Sequence, residues 1–189
     1  MDIEIGAAEK KNRLNSMVAI TVVILSVFMA ICKIKDDNMV QAMQQAKSDA
    51  VDSWSQYQSK KIKLHLAESS LRMANLLATT GMARAQTLEA EQKLLAAEIA
   101  RYEKEGLAIE AQARAHEAEY DALNFHDDQF DMSDAALSIA LAVAAVAALT
   151  DKWALLFFSW GSGSFGVLFG LAGFFGWRLH PGWLVSLLT

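Results

Sequence analysis

Residues 88–123 read LEAEQKLLAAEIARYEKEGLAIEAQARAHEAEYDAL. Along this stretch Leu88, Gln92, Leu95, Ile99, Tyr102, Gly106, Ile109, Ala113, His116, Tyr120 and Leu123 recur in alternating steps of four and three. A 3-4 rhythm held over five heptads marks the seam of a helix that packs along a partner helix, and the charged residues between the seam positions suit solvent-facing flanks. Ile99, Tyr102 and Ile109 are expected at the centre of that packing. This reading makes the chain all-α and raises the question of what the seam packs against.

The surrounding segment supplies a partner. Residues 36–134 hold ten Lys/Arg and eighteen Asp/Glu, no proline, and glycine only at 81 and 106. Ala, Glu, Gln, Lys, Leu and Arg abound there, and all favour helix. The best break is Thr79-Thr80-Gly81, two β-branched residues before one free to take positive φ. A turn there divides the segment into arms 38–80 and 82–124, 43 residues each. Each arm spans about 64 Å as helix. The arms complement each other in charge, with five basic and three acidic residues in the first against five and nine in the second. That mild attraction favours antiparallel pairing as a coiled-coil hairpin. The first arm is less regular. Met43, Ala46, Ala50, Trp54 and Tyr57 form one stripe, and Ile62, Leu66, Met73 and Leu77 a second. The step from Tyr57 to Ile62 breaks the heptad, as a change in supercoil or a second partner helix would require. Trp54 and Tyr57 read as an aromatic packing step with Lys61 able to lie over Tyr57. His116 reads as a seam residue that sets register, and the patch around His65 as a solvated basic face.

Outside the hairpin the composition changes. The chain of 189 residues is 53% hydrophobic and still 21% charged, so the two kinds of residue are segregated along it. Residues 16–32 (SMVAITVVILSVFMAIC) carry no charge, and 135–150 and 153–177 are likewise apolar. Lengths of 16 to 25 residues approach or exceed what a hydrocarbon core of about 30 Å requires, and Lys33 and Lys35 can snorkel from the first. Backbone polar groups in lipid must be satisfied within the segment, so all three read as transmembrane helices. The expected organisation is a tail at 1–15, transmembrane helix 16–34, extramembrane hairpin 36–134, transmembrane helices 135–150 and 153–177, and a tail at 178–189. A cleaved leader ending at Cys32 is disfavoured, because Ile31 stands where such sites want a small residue.

Several chemistries are disfavoured at the outset. One proline and clustered glycines do not suit an all-β fold. A lone cysteine, Cys32, can form neither an internal disulfide nor a CxxC zinc site. A net charge of −5 does not suit nucleic acid. The apolar stretches 16–32, 135–150 and 153–177 contain no Asp, Glu, Lys, Arg or His, which disfavours a proton-coupled transporter. No Ser/His/Asp or Cys/His set points to an enzyme, and no cofactor motif emerges. Gly161-Ser162-Gly163-Ser164-Phe165-Gly166 fits GxGxxG literally, but no strand precedes it. The better reading is helix packing: Gly163, Gly166, Gly170 and Gly173 form one small-residue face, with Ala140, Ala144, Ala147 and Ala148 of the second span as partners. His126, Asp127, Asp128 and Asp131 are weak candidates to hold a divalent cation, near Asp36 and Asp37 at one membrane surface. No EF-hand spacing, HExxH or paired histidines support a metal, so capping by Ser133 or Asp134, solvation and pairing with Lys33 and Lys35 are the preferred roles for the polar residues in this region.

Asn15 before the first span, Asp52-Ser53-Trp54-Ser55-Gln56-Tyr57-Gln58-Ser59-Lys60-Lys61-Ile62-Lys63, Tyr102-Glu103-Lys104-Glu105, and Leu149-Thr150 before a charged turn and Trp153 carry a resemblance. Over about residues 12 to 177 the chain resembles an uncharacterised family of bacterial three-span membrane proteins known only as a domain of unknown function. Its most specific part is the pattern D-x-W-x-x-Y-Q-x-K-x-I-K. The resemblance implies a bacterial inner-membrane location and no activity, so it assigns no functional residue. Similar proteins often carry a strongly basic turn between spans two and three, where this chain has Asp151-Lys152.

The expectation is a non-enzymatic membrane scaffold or assembly protein whose partners are the lipid bilayer and either a second copy of itself or another membrane-complex subunit. The alternative is an oligomeric channel or cation-handling protein with the aspartates at its mouth. The basic N-terminal cluster Lys10, Lys11 and Arg13 favours an N-terminus in the cytoplasm and a hairpin in the periplasm.

Overall fold

The structure is a computed structural model that describes residues 2–80 and 85–179, with side chains from 11 to 80 and 86 to 179. Three helices account for nearly all of it: α1 Asp2–Thr80, α2 Ala85–Thr150 and α3 Trp153–Phe175. No strand occurs among the described residues. Each helix contains a stretch long and apolar enough to cross a membrane, by length and composition. The expected turn residue Gly81 and the second arm's first residue Met82 lie outside the described residues, as do 180–189 of the C-terminal tail.

The helices continue through the expected limits of tail, span and arm. α1 runs unbroken through the positions set aside as a tail, a span and an arm, and α2 runs unbroken into the second apolar stretch. Neither helix contains a proline, and where backbone hydrogen bonds close internally a helix can pass between environments without interruption. Ser133 and Asp134 therefore do not cap a helix, since α2 passes straight through both.

The chain forms two compact units. One comprises residues 1–42 and 122–189, the other 43–121. In the first unit, α2 and α3 are joined by a two-residue turn. Asp151 takes a positive φ of 54° and Lys152 is extended at the start of α3. Lys11 Nζ donates to Asp151 Oδ2 at 2.8 Å. At its other end α3 stops on Gly176, whose φ of 66° is the left-handed conformation open to glycine, and the Trp177 N–H closes on the Ala172 carbonyl at 2.9 Å. Ala140, Ala144 and Ala147 of α2 are fully buried, Ala144 and Ala147 in a cluster with Leu14, Val18 and Leu156. Large apolar side chains such as Val23, Ile24, Val27, Phe157 and Phe158 point outward.

In the second unit, α1 and α2 contact each other at positions that descend along α2 as they climb along α1, so the two run antiparallel. Lys47 lies over the Tyr120 ring, Trp54 Nε1 donates to Glu117 Oε1 at 2.8 Å, Lys60 pairs with Glu105, and Gln92 Nε2 donates to Asn75 Oδ1 at 2.9 Å. On α2 the residues turned from solvent are the eleven of the 3-4 rhythm, accompanied by Glu105 and Glu110. On α1 the structure corrects the sequence reading. The inward row continues without a break through Met43, Ala46, Ala50, Ser53, Tyr57, Lys60, Leu64, Ala67, Leu71 and Ala74. Ile62, Leu66, Met73 and Leu77 are instead exposed, with Leu66 at 68%. The heptad therefore does not break after Tyr57. Small or amphipathic residues occupy the seam there, and Lys60 keeps its place by extending its stem over Tyr102 towards Glu105.

Candidate functional site

In the first unit four of the five glycines of α3 lie where a Cβ has no room. A methyl group on Gly163 would meet Leu25 Cδ1 at 2.9 Å, on Gly166 Leu137 Cγ at 2.8 Å, on Gly170 Phe28 Cε1 at 2.8 Å, and on Gly173 Phe130 Cζ at 2.8 Å. Gly166 is the most confined, because the backbone oxygen of Ser133 also stands 3.0 Å away and cannot swing aside. Close approach lets serines reach between helices: Ser133 Oγ donates to Gly166 O, Ser159 Oγ to Ala140 O and Ser162 Oγ to Ala136 O, at 2.7 to 2.8 Å. Trp160 Nε1 adds a bond to Thr21 Oγ1 at 2.8 Å. The cleft beside it, about 460 Å³ and lined by Met17, Ile20, Ile24, Gly163 and Val167 among others, holds no titratable group.

The four weak metal candidates lie at the other end of these apolar stretches. Among the described residues no three His, Cys, Asp or Glu side chains converge as a metal site. His126 turns to Gln129, Nδ1 to Oε1 at 3.0 Å. Gln129 is almost fully buried and donates from Nε2 to the Trp177 and Leu179 carbonyls, both at 2.7 Å, tying α2 to the chain beyond α3. Its role went unseen in the sequence, where a lone Gln in a polar run carries no periodic signal.

Asp36 and Asp127 are different. The α1 carboxylate of Asp36 is only 5% exposed. Its Oδ2 accepts Lys33 Nζ at 2.7 Å, and Lys33 also reaches Asp37 at 3.7 Å. Asp36 Oδ1 and Asp127 Oδ1 are the buried side-chain oxygens without a hydrogen-bond donor among the described residues. The two carboxyl groups are within hydrogen-bonding reach of each other, and burial together with the neighbouring Asp36 charge pushes Asp127 up to about 7. Asp131 is raised as well, by burial first and by the Asp36 charge, with Lys33 opposing. Burial disfavours a carboxylate, and a second carboxylate beside it does so again.

The helix-packing candidates of the second unit are spread along the contact between α1 and α2. Trp54 and Tyr57 meet edge to face at 5.5 Å, Lys61 Nζ lies 5.7 Å above the Tyr57 ring, and Tyr57 faces Gly106. Tyr102 receives Lys60 and Arg101 over its ring, while Ile99 and Ile109 are half-buried in the same row.

No curated protein and no solved structure matches the chain. A family model does match, over residues 14–176, nearly the whole of the three helices. The chain accordingly belongs to the family described as Domain of unknown function (DUF4337).

Proposed function

We propose that this protein is a non-enzymatic, multi-pass membrane scaffold of the bacterial inner membrane, in which 16–34, 135–150 and 153–177 cross the bilayer and the α1–α2 pair outside it is a coiled-coil hairpin that associates with further copies of itself. The apolar surface that the first unit turns outward suits lipid, which favours such side chains where water would not. The observation that carries the assembly reading is the second stripe on α1. Ile62, Leu66 and Leu76 are each at least 63% exposed and lie on the side of the helix away from the seam, whereas Met73 and Leu77 border the groove between α1 and α2 beside Leu88 and Leu95. A helix with apolar rows on two sides suits two partners, and α2 occupies only one.

A second copy fits the open row. Lys63, His65 and Arg72 flank it on α1, all exposed. At the same level on α2, as the Lys60–Glu105 and Asn75–Gln92 contacts set it, Glu91 and Glu98 flank an exposed Leu94 between Ala90 and Ala97. Copies sharing one orientation in the membrane would bring the basic-flanked row of one against the acidic-flanked row of the next at equal height. Such a contact is heterologous, so it closes into a ring or extends as an array.

Native mass measurement in mild detergent, with crosslinking in membranes, tests this. The full chain is expected as an oligomer. Leu66→Asp should release monomer with helix content unchanged, and the exchange of Lys63 and Arg72 for Glu should be rescued by Glu91→Lys with Glu98→Lys. A wild-type chain that is monomeric in both settings sinks the proposal. The buried carboxyl groups of Asp36 and Asp127 favour a second reading, a cation-handling membrane protein. Ion flux in liposomes that is unchanged when Asp127, Asp128 and Asp131 become Asn would remove it.

A further inference from the structure

We propose that Asp36 and Asp127 form an acid pair that binds a single proton between Asp36 Oδ1 and Asp127 Oδ1, one carboxyl donating to the other. The geometry carries this. Both oxygens are buried, both lack a donor, and the groups they belong to are within hydrogen-bonding reach of each other across α1 and α2. A buried acceptor with no donor is unfavourable by about 1–3 kcal/mol, more when charged. Two facing acceptors are satisfied together by one hydrogen atom, because a protonated carboxyl is a donor and its ionised neighbour an acceptor. The bond is charge-assisted, of the short and strong kind.

The surroundings choose the proton over other cations. A divalent ion asks for six or more oxygen ligands, or near-octahedral geometry with several waters. Around this pair the helical carbonyls are engaged in α1 and α2, and among the described residues no third carboxylate joins it as a metal site. Lys33 already occupies the other oxygen of Asp36. The charged and titratable groups around the pair are Cys32, Lys33 and Asp37 on α1 and His126, Asp128, Asp131 and Asp134 on α2. α3 contributes none between Trp153 and Trp177, and Arg178 follows it. One lysine against several carboxylates leaves the local field negative, which holds a proton rather than expelling it. This inference does not depend on whether the chain assembles into oligomers.

Infrared spectroscopy of the full chain in lipid vesicles tests it directly, through the carbonyl stretch of a protonated carboxylic acid, which shifts in heavy water. Wild type is expected to show this band at neutral pH and to lose it in one step as the pH is raised to about 9. Asp127→Asn and Asp36→Asn should each abolish the neutral-pH band, since either leaves one carboxyl beside an amide that can donate to it. Asp121→Asn should leave it intact. Asp127→Glu, which keeps the acid, should retain the band should the amide variants fold poorly. Absence of the band in wild type overturns the proposal. So does a band that survives Asp36→Asn with its midpoint unmoved, because burial of Asp127 alone would then explain it. Added calcium chloride should leave the midpoint in place; a midpoint that falls with calcium concentration would mean that a metal ion competes for the pair, and would overturn the assignment to a proton.

Discussion

Gly166 shows how much a single hydrogen atom can decide. Its face meets Leu137 and the Ser133 carbonyl oxygen, and the oxygen belongs to a helix backbone that cannot turn away. Gly166→Leu is expected to destabilise the chain by about 1–3 kcal/mol, the usual penalty of overpacking. Gly161 has open space where its Cβ would go, so Gly161→Ala should leave stability unchanged or raise it by up to about 1 kcal/mol. Unfolding both variants in mild detergent compares them; equal stability would contradict the close packing of α3. Asp127 gives a residue-scale prediction about pH. Its folded carboxyl keeps a proton up to about 7, whereas an unfolded aspartate gives it up near pH 4. Between those values the folded chain binds more protons than the unfolded chain. The contribution of Asp127 to stability is therefore fully present below about pH 4, falls as the pH rises towards 7, and levels off above. Thermal unfolding from about pH 5 to pH 8 should show this decline in wild type and a flatter profile in Asp127→Asn. A wild-type profile that rises over that range would contradict a proton held by the folded state.

At the scale of the helix, α1 carries apolar residues on two sides, and only the inward row packs against α2. Leu64 is 6% exposed in the inward row while Leu66, two residues on, points outward. Leu64→Ala should cost about 2–5 kcal/mol, as buried leucine truncations do. Leu66→Ala should cost well under about 1 kcal/mol in the isolated chain, and its effect should show in association instead. Circular dichroism melting of the two variants under monomeric conditions separates these outcomes. The seam of α2 was legible in the sequence because one row of larger residues stood out against charged flanks. On α1 the row was legible through Met43, Ala46, Ala50 and Tyr57 but not beyond, because the residues that face inward there are Lys60, Leu64 and alanines, while bulkier Ile62 and Leu66 lie outside. Periodicity reports that a face exists; size misleads about which face when the seam is narrow and filled by small side chains.

For the whole molecule, the proposed orientation with the N-terminus in the cytoplasm would place Ser59 in the periplasm and the Asp151-Lys152 turn in the cytoplasm. In a Cys32→Ala background, a membrane-impermeant maleimide applied to spheroplasts should label Ser59→Cys and leave Lys152→Cys unreacted. The reverse pattern would invert the orientation without touching the fold. The sequence by itself determined the helical class, the three apolar stretches and the glycine row of α3, because each is written in neighbours three and four residues apart, whose relation the helix geometry fixes. Only the tertiary structure decided which row of α1 meets α2, and that Asp36 and Asp127 lie against each other. Both are matters of register between distant segments, and register is set by how side chains from separate helices fit, which no local pattern encodes.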